Sequence, residues 1–230
     1  DHLYTFANRG QLESGIQFFS RWNKTRYHLY DKGENPDSWL SRLNPNDGLN
    51  HKEYIYTAHL SYSRQPGESW HYKIGLLADY DITRTRLTET ADKHDSDRFY
   101  FYPHLTLQYT PSEQQELAFH FTRKATRPDY TRLNTFTSPI DHQTFEQGNP
   151  LLRPEVSNRA EINYLLSGEK IQVNGNLYFT SIEKFITPVA LLTEDNTLTL
   201  SYANGNMENK VGLDINLSGA PASWMTINPS

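Results

Sequence analysis

Residues Trp70 to Ile82 read WHYKIGLLADYDI. Even positions hold Trp70, Tyr72, Ile74, Leu76, Ala78, Tyr80 and Ile82, while odd positions hold His71, Lys73, Gly75, Leu77, Asp79 and Asp81. An extended chain points successive side chains to opposite faces, so this stretch has one apolar, aromatic face and one polar face. Only Leu77 breaks the alternation. A helical period would mix Trp70, Ile74, Leu77 and Asp81 on one side. The segment reads as a strand, longer than the usual five or six residues.

The same period of two recurs outward in both directions. Tyr54, Tyr56, Ala58, Leu60 and Tyr62 alternate with Glu53, Thr57, His59 and Ser61. Phe99, Phe101, Leu105, Leu107 and Tyr109 follow, then Leu117, Phe119 and Phe121. Later runs are Val156, Ala160, Ile162, Tyr164; Ile171, Val173, Leu177, Phe179; and Val211, Leu213, Ile215, Leu217, the last opposite Lys210, Asp214 and Asn216. Leu12, Ile16, Phe18 and Trp22 start the series. No amphipathic helix of three turns is evident. The fold class is all-β, an antiparallel meander of about nine to ten long strands, from a stub at Leu3–Phe6 to a strand starting at Trp224.

Alternation alone does not say whether the apolar face meets a protein core or lipid, because a soluble sandwich alternates in the same way. The connections decide. Short turns rich in Pro, Gly, Ser and Glu fall at 64–69, 110–115, 167–170 and 218–222, and longer loops fall near 31–50, 85–97, 125–153 and 185–196. Short and long alternate, as in outer-membrane barrels with tight periplasmic turns and long extracellular loops. The strands exceed the roughly 9–11 residues that cross the hydrocarbon when tilted. Trp22, Trp70, Tyr72, Tyr80, Tyr109 and Tyr164 stand near strand ends, where an interfacial girdle belongs.

Composition agrees. Apolar residues make up 36% of the 230 residues and mean hydropathy is -0.74, yet aromatics reach 13%, with 15 Tyr and 11 Phe. Disorder comes with few aromatics; strands with one wet face suit these numbers better. A net charge of -5 gives no basic stripe for nucleic acid. The absence of cysteine excludes disulfides and thiolate metal sites. No run approaches the roughly 18 apolar residues of a spanning helix, and Asp1-His2-Leu3-Tyr4 does not read as a signal peptide.

Between Phe119 and Glu155 the chain reads FHFTRKATRPDYTRLNTFTSPIDHQTFEQGNPLLRPE. Arg127-Pro128-Asp129-Tyr130, Leu133-Asn134-Thr135-Phe136 and Gly148-Asn149-Pro150-Leu151-Leu152-Arg153-Pro154-Glu155 resemble the loop motif of the outer-membrane β-barrel family common in Bacteroidetes, a branch of the TonB-dependent receptors. Thr135 stands where that family usually has Pro. Leu12-Glu13-Ser14-Gly15, Trp70–Tyr80 and Lys210-Val211-Gly212-Leu213-Asp214 resemble its strand motifs, with Leu77 where the family usually has Arg. The resemblance implies a large barrel of about 22 strands with an N-terminal plug. On this reading residues 1–230 are a partial barrel, without plug domain or signal peptide. Read from the residues alone, Pro128, Pro139, Pro150 and Pro154 stiffen a long loop, Gly148-Asn149 makes a turn, and the motif folds the loop and launches a strand.

No catalytic constellation stands out: there is no Gly-x-Ser-x-Gly elbow, phosphate-cradling Gly loop or His-Glu-x-x-His. The nine His are scattered, and His59, His71, His104 and His120 read as wet, lumen-facing residues. Asp92-Lys93-His94-Asp95-Ser96-Asp97 and Asn44-Pro45-Asn46-Asp47-Gly48 offer oxygen ligands but fit no calcium loop and read as solvated loop. Glu53, Asp79, Asp81, Glu161 and Asp214 are expected to face Lys73, Arg159 and Lys210 across the polar face.

The expectation is a non-enzymatic fragment of a TonB-dependent receptor of the bacterial outer membrane that takes up a nutrient or chelate, with no cofactor or metal. Its partners would be outer-membrane lipid, the TonB complex acting through a plug, and a surface lipoprotein, with no nucleic acid. No ligand-binding residue is assigned; loops 31–50, 85–97 and 125–153 are the region expected to carry ligand. The alternatives are a plug-less barrel (a pore or assembly scaffold) and a soluble, aromatic-rich β-sandwich binding carbohydrate, which would bury the even face of Trp70–Ile82 against a second sheet.

Overall fold

The computed structural model describes residues 1–26, 30–32, 39–41, 48–87, 93–192, 196–222 and 225–227. Strands β1 (His2–Thr5) and β2 (Gln11–Arg26) precede a small pair, β3 (Tyr30–Lys32) and β4 (Trp39–Ser41). The long strands β5 (Gly48–Arg64), β6 (Trp70–Leu87), β7 (Lys93–Ser112) and β8 (Gln115–Thr126) follow. An excursion carries β9 (Ser138–Pro139) and β10 (Thr144–Glu146), and the chain returns through β11 (Glu155–Ser167) and β12 (Ile171–Glu183). A second excursion holds β13 (Ile186–Leu192) and β14 (Leu198–Asn204) before β15 (Met207–Ala222) and β16 (Met225–Ile227).

Ten of these strands form one sheet in the order β1-β2-β5-β6-β7-β8-β11-β12-β15-β16. Every neighbouring pair is antiparallel, so the sheet is the expected meander. The final strand is seen over Met225–Ile227; Trp224, where the sequence reading starts it, lies outside the described residues.

Burial runs opposite to that of a water-soluble domain. Ile16 is 87% exposed, Val211 74% and Ile215 65%, whereas Glu53 and Asp81 are 3% and 4% exposed. In water each exposed aliphatic would forgo about 1.5–3 kcal/mol of burial. Facing hydrocarbon they lose nothing. A two-sheet sandwich would cover this face, so the carbohydrate-binding alternative falls.

Aromatics border the apolar band. Phe18 registers with Tyr56, Tyr56 with Tyr80, and Tyr80 with Phe99, a single row across β2, β5, β6 and β7. At the short-turn end Trp70 stacks on Tyr109 at 4.6 Å, and Tyr4, Phe6, Tyr62 and Tyr72 form a chain of T-shaped and tilted ring contacts. Trp70 and Tyr80 are ten residues apart, roughly 33 Å along a strand and about 25 Å along the normal at a barrel's usual tilt. That is the height of an outer-membrane apolar band. Strand β6, with 18 residues, runs to about 60 Å, so the wall continues well past the long-loop end of the band.

Two expected loops are strand instead. The sequence of residues 85–97 reads as loop, but β6 continues to Leu87 and β7 begins at Lys93. Arg84 pairs with Asp97 and Arg86 with Asp95 across the outer face, extending the ladder with charges beyond the hydrocarbon. No apolar stripe marks a strand at that height, which is why its sequence looks like loop. Residues 185–196 likewise contain β13, paired with β14 along its whole length.

If the outer face meets lipid, arginine should be costly there and tolerated inside. Leu177→Arg on β12 should destabilise the folded barrel in lipid vesicles by about 2–4 kcal/mol, measured by urea titration. Asn174→Arg, on the inner face of the same strand, should change it by less than about 1 kcal/mol.

Candidate functional site

The wall opens where β8 leaves β7. Pro103 offers no N–H to a ladder, and registered pairing of β7 with β8 begins one residue later, at His104–Thr122. Above that point β8 pairs only with β11, Thr126 opposite Glu155. The next residue, Arg127, precedes Pro128, which biases it to extended backbone. Its side chain passes over β7 to the inner face of β6.

There it meets three buried carboxylates. Arg127 Nε donates to Asp81 Oδ2 at 2.8 Å and its Nη2 to Asp79 Oδ2 at 2.9 Å. Glu53 Oε1 lies 3.6 Å from the same Nε, and Glu53 Oε2 accepts from Arg21 Nη2 at 2.8 Å. Thr57 Oγ1 donates to Asp79 Oδ1 at 2.6 Å, and Thr83 Oγ1 to Asp81 Oδ1 at 3.2 Å. His51, itself buried, shares a hydrogen bond with Thr85 Oγ1 at 3.0 Å. Buried carboxylates without a cation would be strongly destabilising; a guanidinium engaging two of them at once supplies the geometry that offsets this.

Behind Arg127 the loop is closed by its own polar groups. Asp129 Oδ1 accepts from Thr131 N at 2.9 Å and from Thr131 Oγ1 at 2.8 Å. These bonds, the backbone one foremost, hold the Asp129 carboxyl below the usual carboxylate range. The turn's stability is therefore fully present above the ordinary aspartate pKa and is lost as pH falls through the lowered one. Phe136 N donates to Asn134 Oδ1 at 3.1 Å and Gln147 Nε2 to Thr135 O at 2.8 Å, which closes this turn without the family's usual Pro at 135. Asn149 N donates to Arg132 O at 2.7 Å. Gly148 packs on the carbonyls of Arg132 and Asn134, where a Cβ would strike backbone. Leu133 and Leu152 are the loop's buried apolar anchors.

The second excursion joins the first. Strand β10 pairs parallel with β14 and antiparallel with β9, giving the four-stranded sheet β13-β14-β10-β9. Asn149 Nδ2 donates to Tyr202 O at 3.0 Å, and Asn204 Oδ1 accepts from Arg153 N at 2.8 Å. The Arg132 guanidinium stacks 5.1 Å from the Tyr202 ring centroid. Two connections separate in sequence thus form one inward cap. Between cap and wall lies a polar cleft of about 410 Å³ lined by His51, Glu53, Asp81, Arg98, Arg127 and Arg153 among others.

The expected charge partners are rearranged. Arg159 does meet Glu161, at 2.8 Å. Lys73 instead pairs with Glu13 at 3.1 Å and Lys210 with Glu208 at 3.2 Å, leaving Glu53, Asp79 and Asp81 to the arginines; Asp214 is exposed. Arg127 was missed because it lies past its strand's end. Its signal was three acids on the inner faces of two adjacent strands with only two cations registered against them, Arg21 opposite Glu53 and Arg98 opposite Asp81, and none opposite Asp79. Of the calcium-like stretches, Asp95 and Asp97 are taken by Arg86 and Arg84; Asn44–Asp47 and Asp92 lie outside the described residues. His120 meets Thr106 Oγ1 at 3.2 Å and His59 lies 3.7 Å from Asp1, both on the inner face.

The model of the outer membrane protein beta-barrel family matches residues 1–230. The chain belongs to that family. Among solved structures, this family member is similar to the copper transporter OprC (TM-score 0.69, 13% identity), covering 96% of this chain and 34% of that one. It also resembles the ferric-catecholate import receptor Fiu from E. coli K12 (TM-score 0.61, 12% identity, 96% and 34% covered). The FrpB iron transporter from Neisseria meningitidis gives a TM-score of 0.60 at 12% identity, 96% and 32% covered. The chain spans about a third of each of these proteins. At such identities the likeness is one of fold. A search of curated proteins by sequence returned no match. The chain is thus a β-barrel wall of the bacterial outer membrane, with the fold of TonB-dependent receptors.

Removing the arginine from this family member's cap should release it. Arg127→Ala leaves Asp79 and Asp81 buried without their cation, a loss of about 3–5 kcal/mol. Limited proteolysis of the protein in detergent should then cut within 127–154, while heat-modifiable gel mobility shows the barrel intact. Arg127→Lys should protect only partly, since an ammonium does not reproduce the two-pronged contact. Gly148→Ala should open the same loop without touching a charge; unchanged cleavage in both Arg127→Ala and Gly148→Ala would show that the cap does not depend on these contacts.

Proposed function

We propose that this chain is part of the barrel of a TonB-dependent receptor that imports a nutrient or chelate through the outer membrane. The observation that carries the reading is the inward cap: a loop held by Arg127 on Glu53, Asp79 and Asp81 narrows the lumen on the long-loop side of the apolar band. A receptor uses a shaped, polar entrance to select what it admits. The similar solved structures are named as a copper transporter, an iron transporter and a ferric-catecholate import receptor, which supports import as the activity without identifying the cargo. Arg98 and Arg153 on the cleft suit an anionic cargo, the usual charge of metal chelates built from carboxylates or catecholates. In the whole protein a plug inside the barrel would couple import to the TonB complex, and a surface lipoprotein would assist capture.

The test is uptake by cells that depend on the whole protein for a limiting chelate. Deleting the TonB energy system should abolish growth as completely as deleting the receptor. Arg127→Ala should reduce uptake at low chelate concentration, with surface abundance unchanged. Growth that persists without TonB would sink the receptor reading and favour the passive pore.

A further inference from the structure

The outer face carries a second pattern just above the row Phe18, Tyr56, Tyr80 and Phe99. Lys24 and Arg26 on β2, Lys52 on β5, Arg84 and Arg86 on β6 and Lys93 on β7 all point outward there, by the parity of the register. Lys52 registers with Arg84 and Arg84 with Asp95; one step higher, Lys24 registers with Asn50, Asn50 with Arg86, and Arg86 with Lys93. Five of the cations therefore form two short rows spread over four strands, with Arg26 one step beyond them. Asp95 and Asp97 are the only acids among the described outward positions of these strands above the aromatic row, and both are engaged by Arg84 and Arg86. Lys24, Arg26, Lys52 and Lys93 are exposed and form no salt bridge among the described residues. Lys52 Nζ sits 5.6 Å from the ring centroid of Trp22, its register partner, a cation over an aromatic face.

Height decides what this belt meets. Arg84 is four residues past Tyr80, roughly 13 Å along the strand and about 10 Å up the normal. That places it in the headgroup layer rather than in hydrocarbon or open solvent. The opposite end of the band differs: its short turns carry Glu68, Glu113 and Glu169. The excess of cations belongs to one leaflet, the one on the long-loop side, which in outer-membrane barrels faces the exterior.

We propose that this belt binds the phosphorylated headgroups of the glycolipid that forms the outer leaflet. Guanidinium and ammonium groups spaced over four strands match phosphate esters, and basic clusters at headgroup height are how proteins recognise anionic lipid. A protein partner on the same face would have to dock on the apolar band below, which lipid already occupies. The inference rests on the long-loop end facing outward; it does not depend on what the barrel transports.

The test uses the whole protein in neutral detergent, titrated with lipid A bearing its phosphates and with the same lipid A dephosphorylated. The phosphorylated form should bind at least tenfold more tightly at low ionic strength, with the difference shrinking as salt rises. Replacing Lys24, Lys52 and Lys93 together with Gln should weaken binding of the phosphorylated lipid by roughly 30-fold or more, at the usual contribution of a basic residue near an anionic surface. The Lys→Arg versions should retain it, and Lys170→Gln at the other end should change nothing. Equal affinity of the unaltered protein for both lipids overturns the proposal, and this comparison needs no variant to fold. Full competition by inorganic phosphate at the same concentration would also overturn it, because the site would then recognise the free ion and not the lipid.

Discussion

Hydrocarbon offers an amide nothing to bond with, and each backbone group left unpaired there costs several kcal/mol. The long strands answer this by pairing residue by residue with their neighbours, in registers that run unbroken over most of their length. Once the backbone is satisfied within the sheet, the two faces are free to follow their surroundings. Ile16, Ile74, Val211 and Leu213 turn outward, and Glu53, Asp79 and Asp81 turn inward. The apparent inversion of burial is a direct result of that solvent.

The inside then has its own problem to solve. Carboxylates placed on the inner faces of β5 and β6 are sheltered once a loop folds over them, and sheltered charge needs a partner. Arg127 supplies it from outside the strand pattern, and it can do so because Pro103 ends the pairing of β7 with β8 and lets the upper part of β8 lean onto β11. One missing N–H and one guanidinium together convert a plain wall into a wall with a lid. The asparagines at 134, 149 and 204 then bond backbone at the crossings, where an apolar side chain would leave amides unpaired.

Outside, the same wall reads the membrane in layers. Aliphatic residues fill the band, aromatics mark its edges, and charged residues take over where β6 and β7 continue past it. The Arg84–Asp97 and Arg86–Asp95 pairs keep those strands in register in a zone where side-chain burial no longer does so. They also make that region look like loop to anyone reading hydropathy, since strand pattern there is carried by charge and not by apolarity.

Much of this protein was determined by its sequence alone. The period of two from Trp70 to Ile82, repeated along the chain, set the strands, their parity and their antiparallel order, because local alternation is all a two-faced strand needs. Alternating short and long connections set which end of the wall is plain and which is elaborated. The Arg-Pro and Gly-Asn-Pro segments marked the loop that matters. Tertiary structure decided the rest: that Arg127 reaches two strands over to Asp79 and Asp81, that β10 pairs with β14 from a separate connection, and that Lys24, Lys52, Arg84, Arg86 and Lys93 gather in two adjacent rows. Those depend on register and on how strands splay apart, which are set by long-range pairing and leave no local period in the chain.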